Sequence, residues 1–171
     1  GTAKFVDKNS VEVAAADGSK SLLTAPTIVI NTGSVNEKPS FEVSSNLAYD
    51  STGILNLKTL PKHLVVVGGG YIGLEFASMF AEFGSKVTIV ARSGVLKNED
   101  DDVRDSVKTL LQTQGIEILE GCEVKNLKNS TLNFTQNGET KSLDADVFLL
   151  ATGRVAATAE LNLSAAGVQT D

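Results

Sequence analysis

The stretch from Lys62 to Ala77, KHLVVVGGGYIGLEFA, decides the fold. Its apolar run predicts a buried strand over Leu64–Val67, and a cluster of glycines follows at once. The glycines satisfy the spacing G-x-G-x-x-G at Gly68, Gly70 and Gly73, with Tyr71 and Ile72 inside the motif. A strand before this motif and a helix after it are the context in which it indicates a dinucleotide site.

Each glycine of the motif has its own physical task. Gly68 permits the tight turn, Gly70 lets the backbone approach a pyrophosphate, and Gly73 lets the helix pack closely on the strand. The N-terminus of the following helix supplies N–H donors and a positive partial charge to the phosphates. A glycine-rich turn without a ligand is the alternative, and the flanking strand and helix favour the binding site.

A helix is predicted over residues 71–83, and Gly84 ends it. Its apolar stripe consists of residues at helical spacing, namely Ile72, Phe76, Met79, Phe80 and Phe83. Tyr71 and Glu75 stand four residues apart, outside this stripe and beside the phosphate-binding end. We expect Tyr71 to cover the nicotinamide end of the cleft and Glu75 to orient groups there. The alternative is an aromatic lid on the turn with a solvated glutamate.

Working outward, the pattern continues as strand, helix and strand. Strands are predicted over 86–90, 116–119 and 147–150, and a second helix between the first two begins at Asp100–Asp102 and ends at Gly115. The aspartates indicate a helix cap in preference to a metal site, because they satisfy free N–H groups. Residues 122–143 alternate around two Asn turns and predict an antiparallel meander. The fold class is therefore α/β, a three-layer Rossmann-like parallel sheet with a β-meander.

The N-terminal part is predicted to be rich in strands. Strands are expected over 3–5, 10–13 and 21–24, and a buried strand over Thr27–Ile30 ends at Asn31-Thr32-Gly33. Residues 34–60 carry the pattern of a linker. The chain starts in strand-like residues without a Met, which suggests a piece of a larger protein. Loss of the initiator Met is the alternative.

The end of the second predicted strand indicates which dinucleotide binds. An acidic residue here would accept hydrogen bonds from the ribose hydroxyls of NAD. This chain has Ala91, which offers no acceptor, and then Arg92, whose fork of donors suits a 2′-phosphate. Lys97 adds a second positive charge. The sequence therefore favours NADP, with NAD as the alternative.

Composition excludes several functions. The 171 residues include 15 Lys+Arg and 21 Asp+Glu, for a net charge of −6, which argues against nucleic-acid and membrane partners. The single Cys excludes a disulfide framework, a CxxC centre and a cysteine zinc site, and no metal site is predicted. No signal pattern is present at the N-terminus, so a cytoplasmic location is expected.

These motifs together resemble the FAD-dependent pyridine nucleotide–disulfide oxidoreductase family, which includes glutathione reductase, lipoamide dehydrogenase and mercuric reductase. The NAD(P) domain of that family is similar to Lys62–Ala77, Phe83–Thr88 and Ala151–Arg154. Ala25–Ser34 resembles the strand and the ATG turn of its FAD domain, which implicates Thr32 and Gly33 in cofactor binding. The family's flavin-binding glycine motif, cysteine pair and C-terminal dimerisation domain have no counterpart here.

The resemblance implies a division of the chain and roles for its residues. Residues 1–57 would be a partial FAD-domain segment with a linker, 58–154 the NAD(P)-binding domain and 155–171 the start of the return to the FAD domain. Tyr71 matches the family's gating tyrosine, and Glu75 a helix glutamate near the nicotinamide. Gly153 matches a position close to the nucleotide, and Val124 one on its adenine side.

The function implied is the NAD(P)H-binding portion of an oxidoreductase in which hydride passes from nicotinamide to FAD and then to a redox disulfide. Cys122 and His63, which is expected at the surface, match no catalytic position of the family. This piece alone should bind dinucleotide weakly and turn over nothing, because its flavin site is incomplete. The parent is expected to be a homodimer. Alternatives are an NADH oxidase, coenzyme A-disulfide reductase or ferredoxin reductase parent, or a dinucleotide-binding module without catalysis.

Overall fold

The computed structural model describes residues 1–170. The chain divides into two compact units, one formed by residues 1–35 with the chain from 154 onward, the other by residues 36–153. No helix within the described residues is long and apolar enough to cross a membrane.

The larger unit is built on a five-stranded sheet in which neighbouring strands are parallel. Numbered by their place in the whole chain, the strands of this sheet are β6 (Ala48–Tyr49), β7 (His63–Val67), β8 (Lys86–Ala91), β9 (Glu117–Glu120) and β13 (Val147–Leu150). Their order across the sheet is β6-β13-β7-β8-β9. Two helices, α1 (Tyr71–Glu82) and α2 (Asp101–Thr113), connect the consecutive parallel strands β7, β8 and β9, since parallel neighbours need a crossover connection.

A second sheet in this unit contains the meander. Strands β10 (Cys122–Lys128), β11 (Thr131–Gln136) and β12 (Glu139–Asp144) are antiparallel, and β5 (Glu42–Ser44) joins β10 in parallel. The two meander turns place Asn129 and Asn137 at positive φ, a conformation that Asn tolerates better than most residues. The predicted meander is confirmed.

The central strand β7 explains the layering. Leu64 and Val66 pack with Leu74 of α1 and Leu111 of α2 on one face of the sheet. The intervening Val65 and Val67 pack on the other face in a cluster with the meander residues Leu127, Leu132 and Phe134. A strand buried on both faces is continuously apolar, which is why the run 64–67 shows no alternation. The three-layer α/β fold class is confirmed.

The smaller unit is an antiparallel sheet of β1 (Thr2–Asp7), β2 (Ser10–Ala14) and β3 (Lys20–Thr24). Phe5 is its buried aromatic residue, and the backbone N–H of Phe5 donates to the Leu161 carbonyl at 2.8 Å. A two-stranded pair, β4 (Ser34–Asn36) with β14 (Arg154–Ala156), and a 3₁₀ turn at Leu163–Ala166 complete the described elements of the chain.

Two expectations for residues 25–60 are wrong. Thr27–Ile30 forms no strand, and Val29 is 82% exposed, because no strand within the described chain pairs with this segment. Residues 34–60 are not a featureless linker, since they contain β4, β5, β6 and a 3₁₀ turn at Ile54–Asn56. Ile54 belongs to the core at 1% exposure.

The predicted apolar stripe of α1 is also wrong in detail. Gly73, Leu74, Ala77 and Phe80 are buried, whereas Phe83 is 59% exposed. Ile72, Phe76 and Met79 are only half-buried. Gly73 and Ala77 are small, so this face of the helix approaches the sheet closely. A prediction based on the large apolar residues alone therefore placed the buried face part of a turn away from its observed position.

Two further local expectations need correction. Asp100 is the N-cap residue of α2, but its side chain forms no capping hydrogen bond. The Val103 N–H instead donates to Asp102 Oδ1 at 2.9 Å, and the charges of Asp101 and Asp102 lie in the first turn. His63 is half-buried and not a surface residue, because its Nε2 atom lies 3.0 Å from the Thr88 hydroxyl oxygen.

Candidate functional site

A cavity of about 600 Å³ lies in the larger unit, where strands β7, β8 and β13 end. Its walls include Val67 and Gly68 after β7, Val90 of β8 and Gly153 after β13. In parallel α/β sheets, ligands bind at the carboxyl ends of the strands. The position of this cavity therefore makes it the candidate site.

The glycine turn forms one side of the cavity. Gly68 has a φ of 126°, and a Cβ atom on it would meet the Ala151 carbonyl, so only glycine fits this turn. A Cβ atom on Gly73 would lie 2.6 Å from the Gly68 carbonyl oxygen, which shows how closely α1 packs on β7. A Cβ atom on Gly70 would meet nothing within 4 Å. Gly70 therefore leaves its backbone open to a ligand.

The N-terminus of α1 starts at this open position. Gly70 is the N-cap residue of α1, and no side chain caps the helix. The carbonyl of Gly70 accepts the first helical hydrogen bond, from Leu74 N–H at 3.1 Å. The uncapped N–H groups and the helix dipole make this end suitable for an anion such as a phosphate.

The loop after β8 is attached to the glycine turn. Gly94 and Leu96 both have positive φ, and Leu96 N–H donates to the Gly69 carbonyl at 2.8 Å. Tyr71 lies in the first turn of α1 and is 63% exposed. Its hydroxyl donates a hydrogen bond to the Glu99 carboxylate in the loop. Hydrogen bonding to Glu99 raises the pKa of Tyr71 above its ordinary value. These bonds hold Lys97 beside the cavity.

The charged side chains of the cavity fall into two groups. Arg92, Lys97 and Lys38 line it, and none of them forms an ion pair with another residue of the described chain. Three carboxylates line the cavity as well: Glu99 accepts a hydrogen bond from Tyr71, Glu123 pairs with Lys125 at 2.8 Å, and Glu37 lies against Gly153. The cavity thus has cations available for an anionic ligand.

The structure brings most of the predicted site residues together. The cavity is lined by Gly68, Gly70, Tyr71, Arg92, Lys97, Val124 and Gly153. Other predicted residues of the same unit do not line it, namely Ile72, Gly73, Glu75 and Ala91. Ala91 is 1% exposed, and Glu75 points to the surface of α1.

Thr32 and Gly33 belong to the smaller unit. Both are exposed and lie outside any strand. Gly33 has a φ of 72°, and its carbonyl accepts a hydrogen bond from Ala157 N–H at 3.0 Å. Their predicted contact with a flavin stays a prediction.

Sequence reasoning missed several lining residues. Lys38 and Phe41 fall in the segment that was expected to be a linker, so nothing in the sequence linked them to the site. Cys122 and Glu123 line the cavity just before Val124 on β10. Strand alternation, which puts Cys122 on the face of Val124, was an available signal for Cys122 but not for Glu123. Cys122 is 1% exposed, and burial raises the pKa of its thiol.

A glycine turn at the carboxyl ends of a parallel sheet and an uncapped helix N-terminus are features typical of α/β proteins with a nucleotide-binding fold. The chain belongs to the pyridine nucleotide-disulphide oxidoreductase family, whose model matches residues 1–171. Members of this family are FAD-dependent oxidoreductases that use NAD(P)H. The predicted family is therefore confirmed.

Individual relatives agree with this assignment. The chain is 42% identical, over 98% of its length, to a probable pyridine nucleotide-disulfide oxidoreductase, RclA, of Escherichia coli strain K12. It is 39% identical, over 99% of its length, to a dihydrolipoyl dehydrogenase of Geobacillus stearothermophilus. Of these two relatives it covers 38% and 37%. The chain therefore spans less than two fifths of their length.

A solved structure shows the same fold. The chain superimposes with a TM-score of 0.88 on a Cu(II) complex of the HOCl-induced flavoprotein disulfide reductase RclA from Escherichia coli. The identity is 39%, and the match covers 100% of this chain and 39% of the other.

Proposed function

We propose that the unit formed by residues 36–153 binds a nicotinamide dinucleotide, NADPH in preference to NADH, and presents it for hydride transfer. The observation that carries the proposal is the open backbone at Gly70, beside an uncapped helix N-terminus and inside a cavity with free cations. Backbone N–H groups and cations are the donors that a pyrophosphate requires.

The preference for NADPH rests on Arg92 and Lys97. Both line the cavity, whereas Ala91 offers no carboxylate for ribose hydroxyls. A hydrogen bond to a charged group contributes about 1.5–3 kcal/mol, so one productive contact from Arg92 to a 2′-phosphate favours NADPH about tenfold or more. We assign the Tyr71 ring to the nicotinamide end, and Glu75, which does not line the cavity, would act there only from the exposed surface of α1.

In the whole protein, hydride would pass from nicotinamide to FAD and then to a redox disulfide, and the cofactors supply this electron chemistry. The share of the present chain is to bind and orient the dinucleotide. Thr32 and Gly33 would contribute to the flavin side. We propose that the whole protein is a cytoplasmic homodimer. Within each subunit, this segment would pack against the remainder of the chain.

The experiment is a titration of this chain with NADPH and with NADH at fixed salt, in which nicotinamide fluorescence reports binding. We expect NADPH to bind about tenfold more tightly, and Arg92→Ala to abolish the difference. Lys62→Ala is the matched control, because it removes an exposed cation that does not line the cavity. If neither dinucleotide binds, the proposal is wrong. If both bind equally, only the role of Arg92 is wrong.

A further inference from the structure

Glu123 brings a carboxylate to the cavity that Arg92 also lines. It is the second residue of β10, next to the buried Cys122, and its side chain is 66% exposed. Both Glu123 and Arg92 line the cavity, and the pKa of Glu123 is lowered first by its hydrogen bond to Lys125, with the positive charge of Arg92 a smaller contribution in the same direction. An acidic residue therefore lines the same cavity as the cation that is proposed to select the 2′-phosphate.

A second cation competes for this carboxylate. Lys125 Nζ lies 2.8 Å from Glu123 Oε2, and hydrogen bonding to Lys125 is the largest cause of the lowered pKa of Glu123. Lys125 does not line the cavity, whereas Arg92 does and forms no ion pair within the described chain. Lys125 thus neutralises Glu123 and leaves the Arg92 guanidinium available.

We propose that Glu123 is a specificity-determining residue that limits the preference for a 2′-phosphorylated dinucleotide, and that Lys125 is a positioning residue that restrains it. The inference rests on the proposed function and deepens it. A carboxylate repels a nearby phosphate, but it accepts hydrogen bonds from ribose hydroxyls, as the acidic residue of NAD sites does. Glu123 therefore supplies, from a different strand, the acceptor that Ala91 lacks.

The test compares the ratio of the NADH and NADPH dissociation constants in three variants. In Glu123→Gln the ratio should rise about three- to tenfold, because the repulsion of the phosphate and the ribose acceptor charge are both lost. In Lys125→Met the ratio should fall below that of the wild type, because the carboxylate is no longer neutralised. Glu139→Gln is the control, since it removes an exposed carboxylate of β12 outside the cavity.

Salt adds a second readout. The shift caused by Glu123→Gln should shrink at high ionic strength, because exposed charges are screened. Circular dichroism checks that each variant folds. If both dinucleotides still bind but the ratio of the NADH to the NADPH dissociation constant in Glu123→Gln is unchanged or lower, only the role of Glu123 is wrong. A higher ratio in Lys125→Met leads to the same conclusion. Failure of the wild type to bind either dinucleotide overturns the proposed function and this inference with it.

Discussion

The hydroxyl of Tyr71 donates a hydrogen bond to the carboxylate of Glu99, 28 residues further along the chain. This bond joins the first turn of α1 to the loop after β8. The bond from Leu96 N–H to the Gly69 carbonyl, at 2.8 Å, joins the same loop to the glycine turn. The phosphate-binding turn and the loop that carries Lys97 are thereby connected at two points.

The Tyr71–Glu99 bond predicts an altered tyrosine titration. The bond and the negative charge of Glu99 raise the pKa of Tyr71, because both favour the protonated phenol. Glu99→Ala should return this pKa toward its ordinary value. The measurement is the ultraviolet absorbance of tyrosinate against pH in a Tyr49→Phe background, where Tyr71 is the remaining tyrosine. Identical titration curves with and without Glu99 would show that the bond does not form in solution.

Two glycines of the motif should respond differently to alanine. Gly70→Ala should cost about 1 kcal/mol of folding free energy or less, because its φ of −86° suits alanine and the added Cβ meets nothing within 4 Å. It should weaken NADPH binding about tenfold or more, since the methyl group occupies the approach to the backbone.

Gly73→Ala is the matched comparison. Its Cβ atom would lie 2.6 Å from the Gly68 carbonyl oxygen, so the variant should lose about 1–3 kcal/mol of unfolding free energy. Urea unfolding measures the stability of both variants, and fluorescence titration measures binding. Equal stability losses in the two variants would contradict the packing described for α1.

His63 should make stability dependent on pH. Burial and, next, the positive charge of Lys86 lower the pKa of His63 in the folded chain, while the charges of Glu117 and Asp146 act in the opposite direction. The unfolded chain therefore binds a proton near the ordinary pKa of about 6.5, before the folded chain does. The contribution of His63 to stability is present above this pH and is lost as the pH falls below it.

The measurement is the free energy of unfolding in urea at a series of pH values on either side of this range. We expect the wild type to lose stability on acidification more steeply than His63→Gln, which cannot take up the proton. The glutamine can still reach the Thr88 hydroxyl, so the variant isolates the charge. A parallel pH dependence of the two proteins would rule out His63 as its source.

Cys122 should react slowly with thiol reagents although it borders the cavity. It is 1% exposed, and burial raises the pKa of its thiol, with the charge of Lys141 acting weakly in the opposite direction. Its reaction with an aromatic disulfide should be about tenfold slower or more in the native chain than in urea, since the thiolate is the reactive form. Equal rates would mean that β10 opens readily at its start.

The helix α1 shows where prediction from sequence succeeds and where it stops. Its start at Tyr71 follows from the glycine motif, and the structure agrees. The buried face of α1 cannot be predicted from the sequence alone. Gly73 and Ala77 belong to that face because they are small, and a small side chain is favoured there only because the helix packs on β7. The same limit applies to Thr27–Ile30, since an apolar run becomes a strand only where another strand supplies hydrogen bonds.

By itself, the sequence from Lys62 to Ala77 determined the strand, the turn and the start of the helix, because each depends on residues within a few positions of one another. The layered α/β class and the family follow from that stretch and from the motifs around it. Only the tertiary structure decided which distant residues share the cavity. Lys38 comes from a segment expected to be a linker, and Glu123 lines the same cavity as Arg92 from a neighbouring sheet. Such contacts depend on the path of the whole chain, which no local pattern records.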